Sequence, residues 1–178
     1  MAARTPGTRP TVESVARHAR VSRQTVFAVG TKPRLLALAR QAAVGGDSIL
    51  GNEAGFAQIL ATPDAIKLLE RFAEMASGIA RRWAALNAVL EEAAARDPSL
   101  MGLRQASRDD IYGCARKVVA ALRSLGALRA ELEPKTAADV LWLLIEPSQY
   151  MRLVTERRWS HRAFQRWHAD AMTRLLLA

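Results

Sequence analysis

Apolar residues recur at spacings of three and four along most of this chain, the pattern of helices that bury one face. No run of alternating β-branched residues is present, so the pattern predicts an all-α protein. The first helix is predicted to begin after Thr11, a suitable N-cap. Its inward-facing stripe would consist of Val12, Val15, Ala16 and Ala19.

A second short helix is predicted directly after the first. Val21 interrupts the apolar spacing, and Ser22 has the side chain of an N-cap for a helix that begins at Arg23. Val26 and Phe27 would anchor this helix in the core. Two short helices joined by a tight turn are the layout of a helix-turn-helix.

Cap residues and prolines predict where the longer helices begin. Thr62-Pro63 and Asp97-Pro98 each pair an N-cap with a proline that suits the first helical turn. Pro134 is predicted to begin a further helix, which Pro147 kinks or splits, and Ser160 is predicted to cap the last one.

Two further features set the expected organisation. We expect the long helical stretch that follows Pro63 to break between Ser77 and Arg82. Residues 45–62 contain glycines and one short apolar run, which indicates a domain boundary. The prediction is a helix-turn-helix domain over residues 1–46 and a helical body over residues 47–178.

The net charge of +9 is concentrated towards the start of the chain. Residues 1–46 contain eight basic side chains and one acid, Glu13, whereas the remaining residues contain 18 basic and 16 acidic side chains. A basic segment attached to a nearly balanced body favours binding to phosphates. Binding to a membrane surface is the alternative, although the apolar stripes here are short for that role.

The first turn of the second helix has side chains that can read DNA bases. In a helix-turn-helix this turn contacts base edges in the major groove. Arginine pairs with guanine, glutamine pairs with adenine, and the threonine methyl packs on thymine, so Arg23, Gln24 and Thr25 are candidate base-reading residues. The alternative is a solvated polar turn on an ordinary small helix.

The segment TVESVARHARVSRQTVFAVGTKPRLLALA resembles the DNA-binding segment of TetR-family transcriptional regulators. The resemblance covers about 28 residues and includes the Val-Ser pair at the turn, the Thr-apolar-aromatic run of the second helix and the Leu-rich third helix. The matching residues are Thr11, Val12, Val15, Ala16, Ala19, Val21, Ser22, Thr25, Val26, Phe27, Lys32, Leu35 and Leu36.

Three features depart from the family pattern. Phe27 stands where the family usually has tyrosine, and the linker from Phe27 to Lys32 is about one residue shorter than usual and lacks an aromatic residue after Val29. Residues 1–10, with two prolines, resemble a basic arm rather than the family's amphipathic first helix. We therefore expect a head in which that helix is lacking or shortened, through a truncated start or through divergence.

The resemblance implies a ligand-responsive repressor that acts as a homodimer on double-stranded DNA. The alternative is a TetR-like dimeric module that binds a small molecule or a protein and has lost operator binding. The DNA-contacting residues implied are Arg17, Ser22, Arg23, Gln24, Thr25, Phe27 and Lys32.

The resemblance also implies an effector site between the central helices of the body and a dimer interface on the last two helices. Ordinary packing within the chain is the alternative for both sets. The candidate effector residues, which are polar or polarisable groups on apolar faces, are Met75, Trp83, Asn87, Ser107, Tyr112, Cys114 and Trp142. The candidate dimer residues are Trp142, Tyr150, Phe164, Trp167 and Leu175.

Several classes of function are not expected. No catalytic or phosphate-cradling motif is present, so we expect neither an enzyme nor a cofactor besides the effector. His161 and His168 lie seven apart without a third ligand, so we expect surface or interface histidines and no metal. Cys114, the single cysteine, favours the reduced cytoplasm, and no apolar run is long enough to span a membrane.

Overall fold

The computed structural model describes residues 12–45 and 53–178. Within these ranges the chain is 82% helical and forms no strand, so the all-α prediction is confirmed. The predicted cap Thr11 and the basic arm over residues 1–10 lie outside the described residues. None of the described helices is both long and apolar enough to cross a lipid bilayer.

Eleven helical segments follow one another in the described ranges. The α-helices are α1 (Val12–Ala19), α2 (Arg23–Val29), α3 (Lys32–Gly45), α4 (Glu53–Leu60), α5 (Ala65–Ala94), α6 (Met101–Ser124), α7 (Pro134–Ile145), α8 (Pro147–Tyr150) and α9 (His161–Leu176). A short 3-10 helix (Pro98–Leu100) precedes α6, and a π-helical segment (Met151–Glu156) follows α8.

The chain divides into two compact units, Met1–Leu38 and Ala39–Ala178, which we call the head and the body. The division falls inside α3, whereas the sequence pattern places it later, after residue 46. The pattern locates the boundary where the composition changes, and a helix that continues across the division provides no such change.

Few apolar side chains are buried in the part of the head that the structure describes. Ala16 on α1 and Val26 on α2 are buried, whereas Val15 and Ala19 of the predicted inward stripe are exposed. Phe27, expected to anchor α2, is 60% exposed. Within the head α1 packs against α2, and a helix of seven residues is too short to cover the whole stripe.

The body is organised around α5, which packs against α8 and α9, while α6 packs against α7. Large apolar side chains from α5, α6, α7 and α9 fill a continuous core. The fully buried members include Leu68, Leu69, Phe72, Leu122, Leu141, Met172 and Leu176. A second, smaller cluster joins α5 to α8 and α9 through Ala80, Ala84, Tyr150 and Phe164.

Two predictions for the first part of the body are wrong. Asp64, not Thr62, caps α5: its carboxylate accepts a hydrogen bond from the Lys67 backbone N–H at 2.9 Å. The expected break is absent, and α5 continues for 30 residues. No proline interrupts the segment 77–82, and the buried faces of α8 and α9 keep it covered. The apolar run after residue 52 also forms α4, which the pattern did not predict.

The later boundaries follow the predicted signals. The Asp97 carboxylate accepts from the Ser99 backbone N–H at 3.1 Å, and the Ser160 hydroxyl oxygen accepts from Ala163 N–H at 3.1 Å. Pro134 begins α7, and Pro147 separates it from α8. These signals act within a few residues, so the sequence is sufficient to predict them.

Candidate functional site

The start of α2 is held by its cap. The Ser22 hydroxyl oxygen accepts a hydrogen bond from the Thr25 backbone N–H at 3.0 Å and lies 2.9 Å from the Thr25 hydroxyl. The buried side chain of Val26 anchors the same turn on its inner side. The first turn of α2 is therefore fixed by local contacts while its outer face stays exposed.

The turn between α1 and α2 is a Schellman motif. The Val21 N–H donates to Ala16 O at 3.0 Å and the Arg20 N–H donates to Arg17 O at 3.3 Å. Arg20 occupies the left-handed position with φ of 55°, where glycine is usual. The last turn of α1 is therefore closed by backbone hydrogen bonds, with an arginine in the left-handed region.

All seven predicted DNA-contacting residues are exposed on the head. The hydroxyl groups of Ser22 and Thr25 are engaged in the cap, so the predicted contact of Thr25 with a base falls to its methyl group. The Arg23 guanidinium lies 3.1 Å from the Glu13 carboxylate, so the predicted guanine reader has an acidic partner on α1. The Phe27 ring is available at the surface.

The surface of the head is strongly basic. Between residues 12 and 38 the side chains of Arg17, Arg20, Arg23, Lys32 and Arg34 are all exposed, and Glu13 is the single acidic residue. Such a density of positive charge attracts polyanions and raises their local concentration.

The structure gathers four of the seven predicted effector residues around one cavity of about 120 Å³ in the body. Met75 and Trp83 reach it from α5, and Ser107 and Cys114 reach it from α6. Burial, the largest influence on the Cys114 thiol, raises its pKa, so this thiol stays protonated at neutral pH.

The other three predicted effector residues lie elsewhere. Asn87 and Trp142 line a separate cavity of about 590 Å³, and Tyr112 lines a third of about 760 Å³. The rings of Tyr112 and Trp142 pack edge to face with their centroids 6.4 Å apart. The seven residues therefore do not form a single site.

Two charged residues of the 120 Å³ cavity were not predicted from the sequence. Arg40 on α3 and Asp110 on α6 both line it, and the Arg40 guanidinium lies 2.6 Å from the Asp110 carboxylate. The sequence did contain a signal for Arg40. It lies four residues after Leu36 and three before Ala43, which places its charge on the apolar face of α3.

His168 is a buried residue, which corrects the expected surface or interface position. It is 1% exposed, and its Nε2–H donates to the Leu144 carbonyl oxygen at 3.1 Å, since a carbonyl can only accept. Its Nδ1 then accepts from the Ser77 hydroxyl at 3.2 Å. Burial lowers its pKa to about 4, so this neutral imidazole ties α5, α7 and α9 together.

His161 has a separate role, since its Nδ1 lies 3.2 Å from the Tyr150 hydroxyl. Burial lowers the pKa of His161 as well. The two histidines thus bind different partners. Across residues 12–45 and 53–178, no three His, Cys, Asp or Glu side chains are grouped as a metal site requires.

The predicted dimer residues divide into two groups. Phe164 is 1% exposed and Tyr150 is 7% exposed, and their rings pack together within the chain at 5.0 Å. The buried face of α9 contains Phe164, His168, Met172 and Leu176, at a spacing of four. Trp142 and Trp167 are half-buried, and Leu175 is exposed, so these three remain accessible to a partner.

No family model, curated protein or solved structure matches this chain. The functional proposals therefore depend on the chain's own residues and their geometry.

Proposed function

We propose that this chain is a TetR-like transcriptional regulator that binds double-stranded DNA as a homodimer and responds to a small molecule in its body. The observation that supports this most directly is the Ser22-capped first turn of α2, which displays Arg23 and Gln24 on a strongly basic surface. Two such turns on a twofold axis would read two half-sites of an operator.

Each head residue has a role set by its chemistry. Arg23 would donate to guanine O6 and N7, Gln24 would pair with adenine, and the Thr25 methyl would pack on thymine. Arg17 and Lys32 would contact phosphates, and Phe27 would pack at the DNA backbone.

The ion pair between Arg23 and Glu13 sets a condition on base reading. Arg23 must leave Glu13 to reach a guanine, and this costs little because both side chains are largely exposed to solvent. Glu13 would also repel nearby phosphates. Binding to random sequence would be weakened most, since phosphate contacts provide nearly all of that affinity.

The body would supply the regulation. An effector that binds one conformation of the dimer better than the other shifts the population away from the spacing that fits the operator. Leu143 on α7 and Leu175 on α9 are exposed apolar residues that a second subunit would cover.

The test begins with selection of duplexes from a randomised library at fixed salt, followed by affinity measurements on the selected and on a scrambled duplex. Arg23→Ala should cost about 1–3 kcal/mol on the selected duplex and much less on the scrambled one. Lys32→Ala should weaken binding to both equally and reduce the slope of log affinity against log salt by about 1.

Arg116→Ala is the matched control, since Arg116 is an exposed arginine of the body. It should leave both affinities unchanged. If the wild-type chain enriches no sequence from the library, the proposal fails. The chain would then fit the alternative of a module that binds a small molecule or a protein.

A further inference from the structure

Two of the residues that line the 120 Å³ cavity each have a buried polar atom without a hydrogen-bond partner in the described part of the chain. The Ser107 hydroxyl oxygen and the Arg40 Nε are both shielded from solvent, and neither has a hydrogen-bond partner among the residues that the structure describes. Ser107 itself is 2% exposed. A buried polar group without a partner costs free energy, so two of them around one cavity indicate a site for a polar atom.

The remaining surface of the cavity is mostly apolar. Phe72, Met75 and Trp83 from α5 and Ile111 from α6 line it, together with the protonated thiol of Cys114. A cavity of about 150 Å³ holds a molecule the size of benzene, so about 120 Å³ suits a ligand of roughly five non-hydrogen atoms. The ligand should therefore be small and largely apolar.

The charge around the cavity is already balanced. Asp110 holds the Arg40 guanidinium at 2.6 Å through a terminal nitrogen, which leaves Nε to donate elsewhere. An anionic ligand would lose its hydration on entering the cavity and would be repelled by the Asp110 carboxylate. The Arg40 guanidinium, already paired with Asp110, would offset little of this cost. A neutral acceptor avoids both costs.

We infer that this cavity binds a small neutral carbonyl compound. Its oxygen has two lone pairs, which match the two donors, Arg40 Nε–H and Ser107 O–H, and its alkyl part would contact Trp83 and the neighbouring apolar side chains. The inference depends on the proposed function only in making this compound the effector. Burial raises the pKa of the Cys114 thiol, which disfavours the nucleophilic thiolate, so the inferred contact with this side chain is non-covalent.

The experiment measures binding to the full chain by ligand-observed NMR, with two probes of equal size and shape. The probes are 2-butanone and propanoate, in which one methyl group of the ketone is replaced by a negatively charged oxygen. At pH 7 the ketone should bind at least fivefold more tightly than propanoate. Equal or tighter binding of propanoate, or no detectable binding of the ketone, would overturn the inference.

Two substitutions test the donors. Ser107→Ala removes an unpartnered hydroxyl, so the fold should be retained, while the affinity for 2-butanone falls about five- to tenfold. Arg40→Lys keeps the positive charge beside Asp110 but removes Nε. It should lower the affinity for 2-butanone to a similar extent. The matched control is Ser124→Ala on the same helix, outside this cavity, which should not alter ketone affinity.

Failure of the two proposals can be told apart, because the ketone measurement contains no DNA. If 2-butanone binds through Ser107 and the chain selects no duplex, the carbonyl site stands and the regulator proposal fails. If the chain selects a duplex and Ser107→Ala binds the ketone as well as the wild type does, the carbonyl site is refuted while the regulator proposal stands.

Discussion

The head and the body bury their apolar side chains to very different extents. In the body, Phe72, Leu122 and Phe164 are almost completely buried in cores built from several helices. In the described part of the head, the buried side chains are those of Ala16 and Val26, and Phe27 is mostly exposed. Burial of apolar area is the main source of folding free energy, so the body should be much the more stable unit.

The head depends instead on local backbone contacts. In its described part these include the Ser22 cap and the Schellman turn at Arg20, contacts between residues no more than five apart. Each such contact contributes about 1 kcal/mol, less than a single large core side chain. We expect such a head to open locally while the body stays folded.

The largest effect is expected at Phe164 in the smaller body cluster. Phe164→Ala should lower the free energy of unfolding by about 3–5 kcal/mol, because it leaves a cavity beside Tyr150. Urea denaturation followed by circular dichroism measures this loss. Arg166→Ala on the exposed face of α9 should change it by less than about 0.5 kcal/mol.

The same variant separates a core role for Phe164 from the dimer contact that the sequence suggested. A core residue lowers stability equally at low and high protein concentration. A loss that appears only where the chain dimerises would contradict the burial of Phe164 within one chain.

A smaller effect is expected from the protonation of His168. Its pKa is about 4 in the folded chain and about 6.5 in the unfolded chain, so between these values only the unfolded chain takes up the proton. The free energy of unfolding is therefore highest above pH 6.5 and should fall by about 3 kcal/mol as the pH is lowered towards 4. Urea denaturation at pH 7 and at pH 4.5 would show the decrease.

His168→Gln should remove most of that pH dependence, although it lowers stability at pH 7. His161, whose pKa burial also lowers, acts in the same direction and remains in the variant. His161→Gln is the control and should keep most of the wild-type slope, since this side chain is only partly buried. If the free energy of unfolding of His168→Gln depends on pH as that of the wild type does, the His168 imidazole takes up its proton in the folded state as well.

The contrast between local and distant contacts also explains what the sequence could predict. The caps at Ser22, Asp97 and Ser160 were predicted correctly, because each acts on a backbone group within three residues. The continuity of α5 was not predicted, because the segment around Ser77 is covered by α9, distant in the sequence. The hydrogen bond from Ser77 to His168 joins residues 91 positions apart.

The 120 Å³ cavity also shows that contacts between distant residues could not be predicted from the sequence. Polar residues on apolar faces predicted Ser107 and Cys114 as lining residues, and helical spacing was sufficient for that. The same criterion did not separate Trp142 and Tyr112, which lie on other cavities. Arg40 and Asp110 lie 70 residues apart, so their ion pair depends on the packing of α3 and α6 in the body.

The smallest expected effect is the removal of one helix cap in each unit. Ser22→Ala and Ser160→Ala delete the same hydroxyl, whose oxygen accepts a backbone N–H at 3.0 Å in the head and at 3.1 Å in the body. Each substitution should lower the free energy of unfolding of its own unit by about 1 kcal/mol.

In the head this loss should appear as amide hydrogen exchange about fivefold faster across α2, with no change in the urea midpoint of the body. In the body, Ser160→Ala should lower the midpoint itself, because α9 unfolds together with the core. If Ser22→Ala lowers that midpoint as much as Ser160→Ala does, the head and the body unfold as one unit, and the difference in burial has no consequence for their stability.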